Sequence, residues 1–279
     1  MTAAASRPAL PAWAVGEFAG TFLLVFFGCG SVAAAVLTGA LAGTFQVAVV
    51  WGLGIATAIY LTGGLSGAHL NPAVTLAMAT VDRLPWRRVP GHLLAQLLGA
   101  FSASAVLYAV FFGALRAYEY SNHIVRGAPG SEASAMVFGE FFPNPGGHPL
   151  GAGGPTFVST EAAFCVEALG TAILVLVILC ATDARNPSRP GILTAATIGL
   201  TVTMLISLFA PLTMAGFNPA RDFGPRLFSA LAGWGRMVFT VNGSGWLVVY
   251  ILAPLAGGQA GALAYRFFFR GHYLAIPES

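Results

Sequence analysis

"LSGAHLNPAVTL", residues 65–76, places a histidine, an asparagine and a proline inside an apolar segment. A second stretch, "AGFNPARDFGP" at residues 215–225, does the same late in the chain. Asparagine is among the best helix N-caps. Proline is favoured at the first helical position, where no amide donor is needed. Asn71-Pro72-Ala73 therefore starts a helix, and Asn218-Pro219-Ala220 starts another. The first continues to about Val81 and the second to about Leu231. About eleven residues rising ~1.5 Å each reach roughly 16 Å, half of a ~30 Å hydrocarbon core. Both are read as half-helices.

A bilayer is the relevant scale. The chain has 279 residues, 57% hydrophobic and 8% charged, with a mean hydropathy of +0.78. Soluble domains carry about 25% charged residues. A spanning helix needs about 20 mostly apolar residues. Six runs qualify: Trp13–Leu37, Thr44–Leu61, Pro90–Leu115, Ala162–Ala181, Gly191–Leu212 and Gly245–Phe269. The first is too long for a signal-peptide core and contains Glu17, so it reads as a span. The fold class expected is an all-α membrane protein.

Every basic residue is arginine. If all six runs cross, Arg7, Arg83, Arg87, Arg88, Arg185, Arg189, Arg266 and Arg270 share one side. Arg116, Arg126 and Arg236 fall on the other. The positive-inside rule then puts both termini in the cytoplasm. The net charge of +3 is no nucleic-acid signal. Cys29, Cys165 and Cys180 fall inside spans at spacings that fit no metal site, and read as small buried apolar residues. With no metal-ligand cluster and no nucleophile–base pair at useful spacing, neither an enzyme, a cofactor nor a metal is expected.

The chain repeats itself. "GEFAGTFLLVFFG" resembles "VEALGTAILVLVI", with Glu17 and Glu167 150 residues apart. "HLNPAVTLA" resembles "GFNPARDFG", with Asn71 and Asn218 147 apart. Each unit holds three spans, and an odd number of crossings inverts the second unit relative to the first. The expected organisation is one channel domain over residues 1–279. A first inverted repeat (13–115) and a second (162–269) are joined by an extracellular loop (116–161). That loop includes "PNPGGHPLGAGGP" and is expected to form an ordered vestibule wall.

Entering from opposite faces, the half-helices can meet N-terminus to N-terminus at the midplane. The stretches before them, Gly67-Ala68-His69-Leu70 and Thr213-Met214-Ala215-Gly216-Phe217, must then be extended. Irregular backbone at that depth is tolerated only inside protein or along a water-filled cavity. The carbonyls of Gly67, Ala68, His69, Thr213, Met214 and Gly216 are candidates for an acceptor ladder along a pore. Glu17 and Glu167 are expected to take the loop amides from behind; the alternative is that each pairs with a neighbouring helix. Each asparagine oxygen caps its own half-helix and leaves its NH2 for the lumen, beside two positive helix ends. Cations, hydronium included, meet a positive potential there. A permeant oxygen accepts from Asn71 and Asn218, which interrupts a proton wire. His69 either lines the pore or is a satisfied packing histidine.

These residues resemble the aquaporin and glycerol facilitator family, the major intrinsic proteins, over about Trp13 to Phe269. The glycerol facilitator branch matches best, through "WGLGIATAIYLTGGLSGAHLNPAVTLA", "FNPARDFGPRLFSALAGWG" and "GALAYR". The resemblance implies six spans, two re-entrant half-helices, a pore in each protomer and a homotetramer in membrane lipid. Arg221, three residues after Asn218, matches the arginine of the family's selectivity filter; the bland alternative is an ion pair with Asp222. Counting from the asparagines carries the other filter positions onto Trp51, Ile206 and Ala215. Trp51 matches the branch, though an interfacial tryptophan is an alternative. Ile206 and Ala215 depart from it: glycerol facilitators usually have glycine and phenylalanine there. A one-residue shift would put Ser207 in place of Ile206. Asp222 resembles the glycerol branch, and can also pair with Arg226 one turn on.

The implied function is a passive channel for glycerol and other small neutral solutes, with some water permeability and exclusion of protons and ions. A bacterial-type inner membrane is the expected location. A mainly water-selective channel and a proton-coupled transporter are the competing readings.

Overall fold

The computed structural model describes residues 10–147 and 157–275. Arg7 and the "HPLGAGGPT" part of the long loop lie outside the described residues. Helix α1 covers Ala12–Thr38, α2 Thr44–Ser66, α4 Val89–Ser121, α6 Thr160–Ala181 and α7 Thr194–Thr213, and a last span runs over Gly245–Tyr273. Between them lie two short helices, α3 (Pro72–Thr80) and α8 (Pro219–Ser229). Among the described residues six helices are long and apolar enough to cross a membrane, and the short pair re-enters, which makes this a multi-pass membrane protein.

The spans begin close to the sequence boundaries, but the second runs five residues past Leu61 to Ser66 and the last continues to Tyr273. The third runs past Leu115 to Ser121, because Leu115 and Glu119 are buried against the outer segment rather than set in a polar loop. The last span carries two wide π turns, Val248–Leu252 and Tyr265–Phe269, a form that is usually local and often sits near functional positions.

Helix packing follows small residues, as it does where lipid offers no hydrophobic drive between helices. Helix α1 packs on α2 and α4, α2 crosses α7, and the last span lies on α6. Gly52 and Gly199 face each other where α2 crosses α7, and a Cβ on either would collide with the other's carbonyl oxygen. A Cβ on Gly99 of α4 would strike the Phe18 carbonyl, and one on Gly257 would strike that of Ala168. Phe18 and Ala168 carry the same 150-residue offset as the two glutamates.

The described part of the long loop is folded. It forms the short helix α5 (Glu132–Ala135) and buries Phe138 and Phe141 in a cluster with Met214, Trp234 and Val238. On the side of the chain termini, Asp183 joins three elements. It accepts from Tyr265 Oη at 2.5 Å, pairs with Arg185 at 2.9 Å and lies 3.7 Å from Arg83. Burial raises the Asp183 carboxyl, but the Arg185 and Tyr265 hydrogen bonds outweigh it and hold the group below the usual carboxylate range. Cys29 is buried and Cys180 half-buried, but Cys165 is exposed on α6, contrary to the reading of all three as buried.

Candidate functional site

Both half-helices start as their sequences dictate. Asn71 Oδ1 accepts from Ala73 N at 2.8 Å, and Asn218 Oδ1 accepts from Ala220 N at 3.0 Å and Arg221 N at 3.2 Å. Proline follows as the first helical residue in each. The asparagine amides then do something that spacing did not indicate. Asn71 Nδ2 donates to the Phe217 carbonyl at 2.8 Å, and Asn218 Nδ2 donates to the Leu70 carbonyl at 2.8 Å. Each NH2 has two protons, so one ties the opposite loop and one remains. Both asparagines line the inner cavity.

The loops before them are not simply extended, as the sequence suggested. Ala68 and Leu70 in the first loop, and Met214, Ala215 and Phe217 in the second, have φ between 49° and 64°. Each such non-glycine residue costs on the order of 1–3 kcal/mol unless its surroundings enforce it. The two glutamates supply that enforcement. Glu17 accepts from His69 N at 2.9 Å and Leu70 N at 2.8 Å. Glu167 accepts from Gly216 N at 3.0 Å and Phe217 N at 2.7 Å. Glycine at positions 20 and 170 leaves room for Leu70 and Phe217, since a Cβ would collide with each.

Gly67, Ala68, His69 and Gly216 line the inner cavity, and Met214 lines the outer one. Thr213 departs from the expected ladder. It is fully buried, its carbonyl accepts from Tyr250 Oη at 3.0 Å, and its hydroxyl donates to Glu167 at 2.6 Å. Thr213 lines neither the inner nor the outer cavity, so burial rather than the phenol bond keeps its carbonyl from a permeant.

Two cavities follow one another. The outer, about 570 Å³, opens among the ends of α1 and α2 and residues 144–147. The inner, about 110 Å³, runs past the asparagines towards the side of the termini. Three residues line both: Trp51, Ile206 and Arg221. They mark the neck between the cavities, with Ala215 just inside. Ser207 is turned into its own helix, where its hydroxyl donates to the Thr203 carbonyl at 2.7 Å. The register is therefore that of Ile206. Trp51 belongs to the neck rather than to an interface with solvent.

Arg221 is 3% exposed. Its guanidinium lies 4.5 Å from the Trp51 ring centroid and donates to the Phe138 carbonyl at 3.2 Å. Its ion-pair partner is Glu140, not Asp222. Nε and Glu140 Oε1 are 2.9 Å apart but poorly aligned for a hydrogen bond, so the contact is chiefly one of charge. Asp222 instead pairs with Arg226 at 2.7 Å and accepts from Glu140 N at 2.8 Å. Glu140 escaped the sequence reading because it sits in the connecting loop, outside the repeat. The available signal was one acid among aromatics in "FGEFF".

Much of the rest of the inner cavity's lining is apolar, including Leu24, Ile55, Val74, Leu174 and Val202. A narrow passage lined by a few donors and carbonyls and otherwise by hydrocarbon suits small uncharged solutes that carry both polar and apolar surface.

The chain is similar to known proteins along nearly its whole length. The glycerol uptake facilitator protein of Pseudomonas aeruginosa is 41% identical over 273 residues, covering 98% of this chain and 94% of its own. That of Escherichia coli K12 is 42% identical over 256 residues, covering 92% and 86%. The propanediol uptake facilitator of Salmonella typhimurium is 38% identical, covering 90% and 91%. The solved structure of the aquaglyceroporin from Plasmodium falciparum superposes with a TM-score of 0.79 at 28% identity, covering 95% of this chain and 99% of that one. The family model for major intrinsic proteins matches residues 5–265. Half-helices capped by Asn71 and Asn218, a common architecture and a match along nearly the whole chain lead to one conclusion: this protein belongs to the major intrinsic protein family.

Proposed function

We propose that the chain is a passive channel for glycerol and other small neutral solutes, with some water permeability and with exclusion of protons and ions. The neck of Trp51, Ile206, Ala215 and Arg221 is the selectivity filter in this reading. The observation that carries it is Arg221 meeting the apolar Trp51 and Ile206 where the two cavities join. A solute with carbon on one edge and hydroxyls on the other satisfies both sides at once. Asn71 and Asn218 orient the permeant at the midplane, beside two positive helix ends. Glu17 and Glu167 hold the carbonyl-bearing loops. The termini are cytoplasmic, the membrane is a bacterial-type inner membrane, and the working assembly is a homotetramer in lipid.

Light scattering of proteoliposomes mixed rapidly with an inward glycerol gradient tests this, with impermeant sucrose as the water control. Reswelling in glycerol faster than empty liposomes is the expected result. Rapid shrinkage in both solutes without accelerated reswelling would replace the reading by a water-selective channel, with Ile206 as the closing side chain. Ile206→Gly is expected to raise glycerol flux, on the order of tenfold for each ~1.4 kcal/mol removed from the barrier. An unchanged rate would take Ile206 out of the filter.

Gly28→Ala tests the filter from behind. A Cβ at Gly28 would collide with the Trp51 ring. Overpacking of this kind costs about 1–3 kcal/mol, and Trp51 lines both cavities, so a displaced ring alters the neck. Glycerol flux is expected to fall more than water flux. Equal losses in both would mean that the helix moved instead.

A further inference from the structure

Glu17, His69 and His92 are 52 and 23 residues apart in sequence, a spacing that suggests no metal site. The fold brings them together, with one ligand atom from each within 4.8 Å of the others. His92 is 1% exposed, and its Nδ1 lies 3.0 Å from the Arg88 carbonyl. A carbonyl only accepts, so Nδ1 carries the proton and Nε2 presents its lone pair. That Nε2 has no hydrogen-bond partner among the described residues, and neither has His69 Nδ1. The two imidazole centroids are 5.4 Å apart. Trp13 stacks on His92 at 4.9 Å and fixes its plane.

Glu17 has capacity left. A carboxylate offers about four lone-pair sites. Leu70 N and Gln96 Nε2 donate to Oε2, and His69 N donates to Oε1. One site remains on Oε1. Two buried ring nitrogens thus lack partners and a carboxylate oxygen keeps a free lone pair, on three residues that each bring a ligand atom within 4.8 Å of the others.

We infer that Glu17, His69 and His92 form a binding site for a divalent transition-metal ion of the zinc class, reached through the channel from the side of the chain termini. Imidazole with carboxylate suits zinc and its neighbours rather than magnesium. A histidine that donates its second ring N–H to a backbone carbonyl is in the state metal ligation requires. Zinc bonds of about 2.0–2.1 Å need the ligand atoms closer than they now lie. His69, half-buried on an irregular loop, is the group free to adjust. Entry runs past His69, which lines the inner cavity; His92 does not. A bound ion pins His69 and adds positive charge beside the lumen, so solute flux slows.

The test uses the full-length protein in detergent, with zinc chloride as the probe and equilibrium dialysis as the readout. Binding is measured without flux, so its failure leaves the glycerol reading standing. His92→Phe keeps a ring on Trp13 and removes the ligand; His92→Tyr serves if that variant folds poorly. His123 and His272 are exposed, and their weak sites cancel in the comparison. One zinc per chain is expected, bound at least tenfold more weakly by the variant and not displaced by magnesium. No stoichiometric uptake, as when a water merely bridges the two rings, overturns the proposal, and so does equal binding by both proteins. In reconstituted vesicles, zinc is expected to slow glycerol flux through the wild type only. Equal slowing of the variant places the metal elsewhere and also overturns it.

Discussion

Asp222→Asn is expected to destabilise the protein by about 3–5 kcal/mol, the usual cost of leaving one partner of a buried ion pair alone. Asp222 and Arg226 are 0% and 1% exposed. Arg226 grips the carboxylate with two nitrogens, Nη2 to Oδ1 at 2.7 Å and Nε to Oδ2 at 2.8 Å. The same guanidinium donates to the carbonyls of Glu140 and Val238. Asp222 also accepts from Glu140 N. One charge pair therefore ties α8 to the connecting loop and to the helix Met237–Thr240, here α9. An asparagine keeps the shape and loses the charge, so Arg226 stays buried without a counter-ion. Thermal unfolding in detergent measures the loss. Flux should fall as well, because Glu140 is the ion-pair partner of Arg221. A midpoint equal to wild type would mean that Arg226 finds another acceptor.

Glu167→Gln is expected to do comparable damage by a different route. The carboxylate accepts from Thr213 Oγ1, Gly216 N and Phe217 N. A glutamine has one acceptor oxygen, and its NH2 then faces at least one buried donor. Each donor left unpaired costs about 1–3 kcal/mol, against a total stability of roughly 5–15 kcal/mol. The loop it supports contains three non-glycine residues at positive φ, which relax once the amides are released. Ala215 and Asn218 follow, and both line the channel. Proteoliposome flux per mole of folded protein is the measurement. A variant that folds in normal yield and conducts like wild type would reduce Glu167 to a passive buried acid.

Much of the fold was legible because its causes are local. Spans follow from run length against bilayer thickness, and the half-helices follow from asparagine and proline at consecutive positions. The glutamates were legible because a charge at membrane depth needs a reason, and two copies share it. Arg221 stood out in the same way. What escaped was set by distant contacts. Thr213 turns its carbonyl to Tyr250, 37 residues on. Glu140 meets Arg221 across 81 positions. Left-handed residues at Ala68 and Phe217 have no side-chain signature, since alanine and phenylalanine do not ordinarily announce such a backbone.

The crossed asparagine bonds set an order for biogenesis. Asn71 donates to a carbonyl 146 residues downstream, and Leu70 waits for a donor 148 residues away. While only the first three spans have left the ribosome, the first re-entrant loop rests on Glu17 without its counterpart. Polar backbone at that depth has no water to turn to in lipid. The loop is therefore locked only after translation has passed Asn218 and the later spans have inserted. A half-length chain would have to recruit a second copy in the opposite orientation to fill the same bonds. The midplane is thus completed only by both halves of the chain together, each supplying the donor that the other's loop lacks.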